Sequence, residues 1–264
     1  MLRFALFVDG SNLSGSLTAM NLNIDDYEQF YGAIFKQGLA DFEKVTFAIP
    51  PVSGILTRVY WYRVGSIDEW DLDQQQAVDA LYDRFVNDRE LRDQYLQLVG
   101  PTNPGLQHQE LLKRAWDLCF EKGKAWYNKR RETLLGYRKF SHSVRRSTDL
   151  IDIVECGHWK VDILHNEVTE KQLDTSLAVD MLAFEHSYDV AVVISGDADS
   201  IPSIKYMKER GKTVAAVEFL SGFPPEQRGR GFSSQLKLAA DYVIRIYQMN
   251  LVRDGLGKLR TTKV

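Results

Sequence analysis

Two short runs without a polar side chain, Phe4-Ala-Leu-Phe-Val8 and Val190-Ala-Val-Val-Ile194, each lead into carboxylates. The first is followed by Asp9-Gly-Ser-Asn12 and the second by Ser195-Gly-Asp197-Ala-Asp199. Apolar runs of this length, bounded by turn residues, read as strands buried on both faces. Such strands belong in an α/β fold whose mostly parallel sheet is covered by helices. In open sheets of that kind, ligands bind beyond the carboxyl ends of the strands, where the strand order reverses. If the two strands are neighbours, Asp9, Asp197 and Asp199 converge on one crevice. Carboxylates gathered there repel one another unless protons or cations intervene. A hard divalent cation with oxygen ligands, Mg²⁺ or Mn²⁺, is the natural counter-charge.

The rest of the chain extends the α/β pattern. A helix is expected from Ser11 to about Met20. A second opens at Asp25-Asp26, with Tyr27, Phe30, Ile34 and Phe35 on its apolar face. Residues 50–54 read as a loop and 55–64 as a strand. Further on, the expected elements are a strand over 159–168, a helix over 172–186, a strand over 190–195 and a helix over 199–210 stopped by Gly211. A strand over 212–218, a helix over 232–240 and a strand over 242–247 complete the series. Residues 248–264 read as a loosely held polar tail.

The stretch 66–158 interrupts this rhythm. Its pattern is mainly helical, and it divides by charge. Residues 66–99 carry nine acids against three arginines, whereas 113–146 carry eleven bases against three acids. The reading is a domain made of 1–65 and 159–247, a long helical insertion at 66–158, and the tail.

A hydrophobic fraction of 44% and an aromatic fraction of 11% suit a folded globular chain. The net charge of −3 does not advertise nucleic acid, so local charge must decide that question. Cys119, Cys156 and the five scattered histidines lack zinc-ligand spacing. No stretch approaches the ~18 apolar residues of a membrane span, and no signal-peptide core is apparent. The expectation is a soluble, cytoplasmic protein without a membrane partner. No Gly-x-Gly-x-x-Gly follows the first strand, which argues against a dinucleotide dehydrogenase. Asp9-Gly-Ser11 is not the Asp-x-Asp of aspartyl-phosphate enzymes, which argues against a phosphohydrolase of small esters.

The segment Leu173-Asp174-Thr-Ser-Leu177-Ala-Val-Asp180-Met181-Leu182 places two more acids on a helix. Asp174 falls in the first turn, where the helix dipole favours an anion. Asp180 lies about 240° further round, so the two cannot share one face closely. Asp174 is therefore the candidate for the crevice and Asp180 a supporting group. Each aspartate alone has an ordinary reading as turn or dipole chemistry. Two strand-end motifs with a third acid on the intervening helix are harder to explain that way.

Five stretches together carry a resemblance. They are Phe7-Val-Asp9-Gly-Ser-Asn12-Leu13, Glu170-Lys171-Gln-Leu-Asp174 with Leu177-Ala178 and Asp180, Ile194-Ser195-Gly196-Asp197-Ala-Asp199 with Pro202, Gly211-Lys212-Thr-Val214, and Ser234-Gln-Leu236 with Ala240-Asp241-Tyr-Val-Ile244. This ordered set resembles a NYN domain of the LabA-like branch of the PIN-like nuclease superfamily. The resemblance implies a Rossmann-like, three-layer fold and a metal-dependent ribonuclease centre that cleaves RNA. By position, Asp9, Asp174, Asp197 and Asp199 would be the catalytic carboxylates. Asp9, Asp174 and Asp197 would hold Mg²⁺ or Mn²⁺, and Asp199 would act as base or orient a water. Asn12 matches the residue that orients the first aspartate, and Ser195 the hydroxyl before the last pair. Lys171 is either a phosphate contact or a solvated lysine. The chain has Gln172-Leu173 where members often have Gly-Val, and Ser200 where an aromatic is common. Those departures bear on the start of the helix and on local packing.

Among the bases of 113–146 stand Trp116, Phe120, Trp126, Tyr127, Tyr137 and Phe140. Bases for phosphates and aromatic faces for stacking are how single-stranded nucleic acid is held. Lys129-Arg130-Arg131 is the densest cluster and the candidate RNA contact. The alternatives are helix packing against the acidic segment and a homodimer or protein-partner surface. Arg228-Gly-Arg230-Gly231 is a further basic loop. Two functions remain open: a metal-dependent endoribonuclease, or a non-catalytic regulatory or interaction module on the same fold.

Overall fold

The structure, a computed structural model, describes residues 1–225 and 232–260. The basic loop at Arg228, Arg230 and Gly231 lies outside the described residues, as do 261–264 of the tail. In chain order the elements begin with β1 (Leu2–Asp9), α1 (Gly10–Ala19), β2 (Leu22–Asn23), α2 (Tyr27–Thr46) and β3 (Gly54–Ile67). Then come α3 (Gln75–Asn87), α4 (Arg89–Val99), α5 (His108–Ser147), β4 (Ile151–Asp162) and β5 (Glu167–Lys171). The chain continues through α6 (Leu173–Ala183), β6 (Val190–Ile194), a one-turn helix Ala198–Ser200, α7 (Ile201–Glu209) and β7 (Thr213–Leu220). It closes with α8 (Ser234–Ala239), β8 (Tyr242–Tyr247), α9 (Gln248–Arg253) and β9 (Lys258–Leu259). Among the described residues, no helix is long and apolar enough to cross a membrane.

The chain forms two compact units, one of residues 1–64, 140–157 and 172–264, the other of 65–139 and 158–171. Residues 140–157, placed by the sequence pattern with the helical insertion, group with the first unit.

The first unit is a mostly parallel α/β sheet with strand order β4-β3-β1-β6-β7-β8. β1 runs parallel to both β3 and β6, with Phe4 beside Val190 and Val8 beside Ile194. β6, β7 and β8 continue the parallel run. The connection after β1 goes to β3 on one side, and the chain returns to β6 on the other. The β1–β6 boundary is therefore where the strand order reverses.

Alternation along the strands sets the layers. Phe4, Leu6 and Val8 join Val190, Val192 and Ile194 in a core with Leu13 and Leu17 of α1 and Phe30, Tyr31 and Ile34 of α2. On the opposite face Phe7 stacks on Tyr60 at 5.2 Å and meets the Tyr188 ring edge at 5.4 Å. Met181 of α6 and Ile204 and Met207 of α7 are fully buried. Both helix starts on the first layer are capped by aspartates. Asp9 accepts the Asn12 N–H at 2.9 Å and Asp26 the Gln29 N–H at 3.0 Å.

Residues 248–260 correct the reading of a loose tail. α9 buries Leu251, and β9 pairs antiparallel with β2. The polar composition conceals this, because one buried leucine and a two-residue ladder leave almost no periodic signal.

In the second unit α3 and α4 pack through Leu81, Phe85, Leu91 and Tyr95, with Phe85 5.6 Å from the Trp116 ring of α5. Tyr127 Oη accepts the Trp70 N–H and donates to the Asp68 carbonyl, both at 2.9 Å. The expected single strand 159–168 is instead the end of β4, a turn at 163–166 and the start of β5. The two strands pair antiparallel from His158 beside Lys171 to Asp162 beside Glu167. Asn166 turns the chain in the left-handed region, φ 56°, and the Asp162 carboxylate accepts the Leu164 N–H at 3.1 Å. Four apolar residues, Trp159, Val161, Ile163 and Leu164, separated only by Lys160 and Asp162, hide this turn from the pattern.

Candidate active site

The site grows from the carboxyl ends of β1 and β6. Asp9 ends β1 and is only 2% exposed. Its carboxylate accepts the Asn12 N–H at 2.9 Å, the Asn12 side-chain amide at 2.5 Å and the Ser195 hydroxyl at 3.4 Å. Ser195 is the residue after β6, and its Oγ also accepts the Asp197 N–H at 3.2 Å. A hydrogen-bonded path thus runs from Asp197 through Ser195 to Asp9, across the point where the strand order reverses. Among the described residues no lysine or arginine forms an ion pair with Asp9, Asp197 or Asp199. A buried carboxylate without a cationic partner is a costly arrangement.

Asp197 is exposed and caps the one-turn helix, its Oδ1 accepting the Asp199 N–H at 3.3 Å. Asp199 is exposed on that turn. Ser200 is buried and donates to the Asp197 carbonyl at 3.1 Å, so a small hydroxyl closes the turn here. A small cleft of about 20 Å³, room for about one water, opens beside the site between Asn12, Ser16, Ser195, Gly196 and Phe232.

Gly10 keeps this corner tight. A Cβ there would stand 2.5 Å from the Tyr62 carbonyl oxygen and 2.9 Å from Trp61 Nε1. Neither can retreat easily, because Tyr62 pairs with Asp9 in the sheet. Gly10→Ala is therefore expected to lower the free energy of unfolding by about 1–3 kcal/mol in chemical denaturation. An unchanged midpoint would contradict this close approach.

Asp174 is exposed in the first turn of α6, which packs on β1. Asp180, two turns on, accepts the Tyr62 hydroxyl at 3.0 Å. Burial, reinforced by the Asp180 charge, pushes the Tyr62 phenol far above its ordinary range, so it remains a donor. Tyr62 has no strong sequence signal beyond its place in an aromatic strand, and it anchors α6 beside β1. Lys171 ends β5 in the second unit.

The start of α6 also accounts for one departure in the sequence. Gln172 sits at φ 74°, in the left-handed region where glycine is at ease. Gln172→Gly should raise stability by roughly 0.5–1 kcal/mol in a denaturant titration. A loss of stability would mean that the Gln172 side chain carries more than the strain it imposes.

Among the described residues, no three His, Cys, Asp or Glu side chains are gathered closely enough to hold a metal ion by themselves. Asp9 and Asp197 meet through Ser195, whereas Asp174 is not drawn into a three-carboxylate cluster with them. The donors at hand are carboxylate, hydroxyl and amide oxygens. That set suits a hard divalent cation, and Mg²⁺ needs few protein ligands because it keeps several waters.

Residues 127–247 match the family model for the NYN domain. Over this stretch the chain is similar to the NYN domain. The match runs from α5 to the end of β8 and takes in Asp174, Asp180, Ser195, Asp197 and Asp199. β1, with Asp9 and Asn12, precedes the matched stretch and joins it through the sheet. An uncharacterized protein of Methanocaldococcus jannaschii is 35% identical over 100 residues, covering 37% of this chain and 38% of that protein. The chain thus matches well under two thirds of that relative's length. A protein of unknown function from Vibrio parahaemolyticus, known from its crystal structure, aligns over 93% of both chains with 15% identity and a TM-score of 0.43.

In the second unit the candidate RNA contact lies on α5. The Arg130 guanidinium stands 5.4 Å from the Trp126 ring centre and that of Arg131 5.9 Å from Tyr127, while Lys129 is exposed. Lys124 pairs with Asp73 at 2.7 Å, which is one link between the basic and acidic segments.

Proposed function

We infer that the protein is a metal-dependent endoribonuclease that hydrolyses phosphodiester bonds of RNA at the β1–β6 crevice. One observation carries the reading. Asp9, buried and without a lysine or arginine ion pair among the described residues, is joined through Ser195 to Asp197 at the reversal of strand order in a chain that matches the NYN domain. NYN domains fall within the PIN-like nuclease superfamily, whose members generally use divalent metals.

Asp9, Asp197 and Asp174 would hold Mg²⁺ or Mn²⁺. When bound, such an ion makes a water more acidic and offsets charge that develops on phosphate oxygens. The chain's own residues then have separate tasks. Asn12 locks the Asp9 carboxylate with two hydrogen bonds, and Ser195 ties the two strand ends together. Asp199, exposed at the rim, accepts the proton of the attacking water. Lys129, Arg130 and Arg131 bind the phosphates of single-stranded RNA, with neighbouring aromatic rings available for stacking. Burial pushes the Cys119 thiol up to about 11, which makes it a poor nucleophile.

A second reading, a non-catalytic regulatory or interaction module, draws on the exposed position of Asp174 outside any three-ligand cluster. One experiment separates the two. Mn²⁺ should raise the melting temperature of the wild type and not that of Asp197→Asn. Wild type should also cleave members of an RNA panel with Mn²⁺ or Mg²⁺ and leave them intact with chelator. Absence of any Mn²⁺ shift together with intact RNA would favour the non-catalytic module.

A further inference from the structure

A separate constellation lies wholly within the second unit and has no part in the chemistry above. Ser66, near the end of β3, places its Oγ 2.9 Å from Nδ1 of His158 on β4. Nε2 of the same ring is 2.9 Å from Oδ1 of Asp68. A carboxylate can only accept, so Nε2 carries the ring proton and Nδ1 is left to accept from the Ser66 hydroxyl. Asp68 is itself held in place, since its Oδ2 accepts the Val161 N–H at 3.0 Å. Partial burial pulls the Asp68 carboxyl upward, but the hydrogen bonds from His158 and Val161 keep it below the usual carboxylate range. The order hydroxyl, imidazole, carboxylate is that of an activated nucleophile, its base and the group that orients the base.

Ser66 is exposed and borders a cavity of about 380 Å³. Glu69, Asn128, Arg131, Glu132, Leu134, Leu135 and Arg138 help line it. Arg138 donates to the Gly65 carbonyl at 2.9 Å, which fixes a guanidinium next to the serine. The cavity therefore offers a nucleophile, two cations balanced by two carboxylates, and an apolar wall.

We propose that Ser66, His158 and Asp68 form a second hydrolytic centre, a serine esterase site for a small ester with an apolar acyl group. Ser66 Oγ bonds to the ester carbonyl carbon while its proton passes to His158 Nδ1. The carbon–oxygen bond to the alcohol then breaks, and the alcohol leaves with the proton held by His158. A water gives its proton to the same nitrogen and adds to the acyl group on Ser66. Collapse releases the carboxylic acid and returns the proton to Ser66. Asp68 holds the imidazole in its tautomer throughout, and Leu134 and Leu135 face the acyl chain.

The test uses an alkyl fluorophosphonate on the intact chain. Ser66 Oγ displaces fluoride from phosphorus, and His158 takes the proton. Peptide mass spectrometry should find one stable adduct on Ser66 and none in S66A. The labelling rate should fall by at least about 100-fold in H158Q and in D68N, each checked for native circular dichroism. D68N leaves the imidazole in place, so it serves if H158Q does not fold. No adduct on the native protein under conditions that label a control serine hydrolase would overturn the proposal. Labelling of Ser66 at an unchanged rate in a folded H158Q or D68N would do the same.

Discussion

Asp9→Asn is expected to reduce Mn²⁺-dependent RNA cleavage by at least roughly 100-fold, the scale lost when one group that manages transition-state charge is removed. The protein should remain folded. Asparagine is as good a helix N-cap as aspartate, so the bond from the Asn12 N–H can persist. The new side-chain amide would face the Asn12 amide donor, and one of the two must turn. The expected stability cost is about 1 kcal/mol, the worth of one hydrogen bond. What cannot persist is the negative charge at a buried position where, among the described residues, no lysine or arginine forms an ion pair with it. The assay is gel-resolved cleavage of single-stranded RNA by wild type and variant, with circular dichroism as the fold control. A folded Asp9→Asn protein that cuts at the wild-type rate would remove Asp9 from the chemistry.

The second large effect concerns binding. Reversal of Lys129, Arg130 and Arg131 together to glutamate should weaken single-stranded RNA binding by two orders of magnitude or more at low salt. The plot of log affinity against log salt should also flatten by about 2, since each lost phosphate contact removes roughly 0.7 from the slope. Arg130 lies near Trp126 and Arg131 near Tyr127 in ring contact, so part of each side chain packs on its own helix. Such cation–ring contacts are worth about 0.5–1 kcal/mol each, and some loss of stability should accompany the loss of binding. Fluorescence anisotropy across a salt series reads both affinity and slope. Loss of stability with an unchanged salt slope would assign the cluster to packing alone.

Much of the first unit's architecture was legible because its strands are buried on both faces. Phe4–Val8 and Val190–Ile194 contain no polar residue, and their shortness and bounding turn residues favour a central strand over a buried helix. The adjacency of their ends follows from the register, with Val8 beside Ile194. It brings Ser195 within hydrogen-bond reach of Asp9. The position of Asp174 was less legible. Its place in the first turn of α6 can be read from the sequence, but the rotation of that helix depends on Tyr62 holding Asp180. A hydrogen bond between residues 118 apart in sequence leaves no local trace.

The β4–β5 turn escaped for a different reason. Apolar–polar alternation runs from Trp159 to Ile163, Leu164 extends the apolar character, and Asn166, with its left-handed backbone, marks the reversal. The interruption at 66–158 was visible as a change of charge and period. Its limits were not, because β3, β4 and α5 each contribute residues to both units. A continuous strand or helix offers no change of composition at the point where its packing partners change.

The most direct measurement is anomalous X-ray scattering from crystals of the wild-type protein grown with Mn²⁺. The account predicts a Mn²⁺ peak in the β1–β6 crevice, coordinated by the Asp9 carboxylate directly or through one water, and lost in Asp197→Asn crystals grown in the same way. A crevice without that peak, in protein that still cleaves RNA only when Mn²⁺ is supplied, would contradict it.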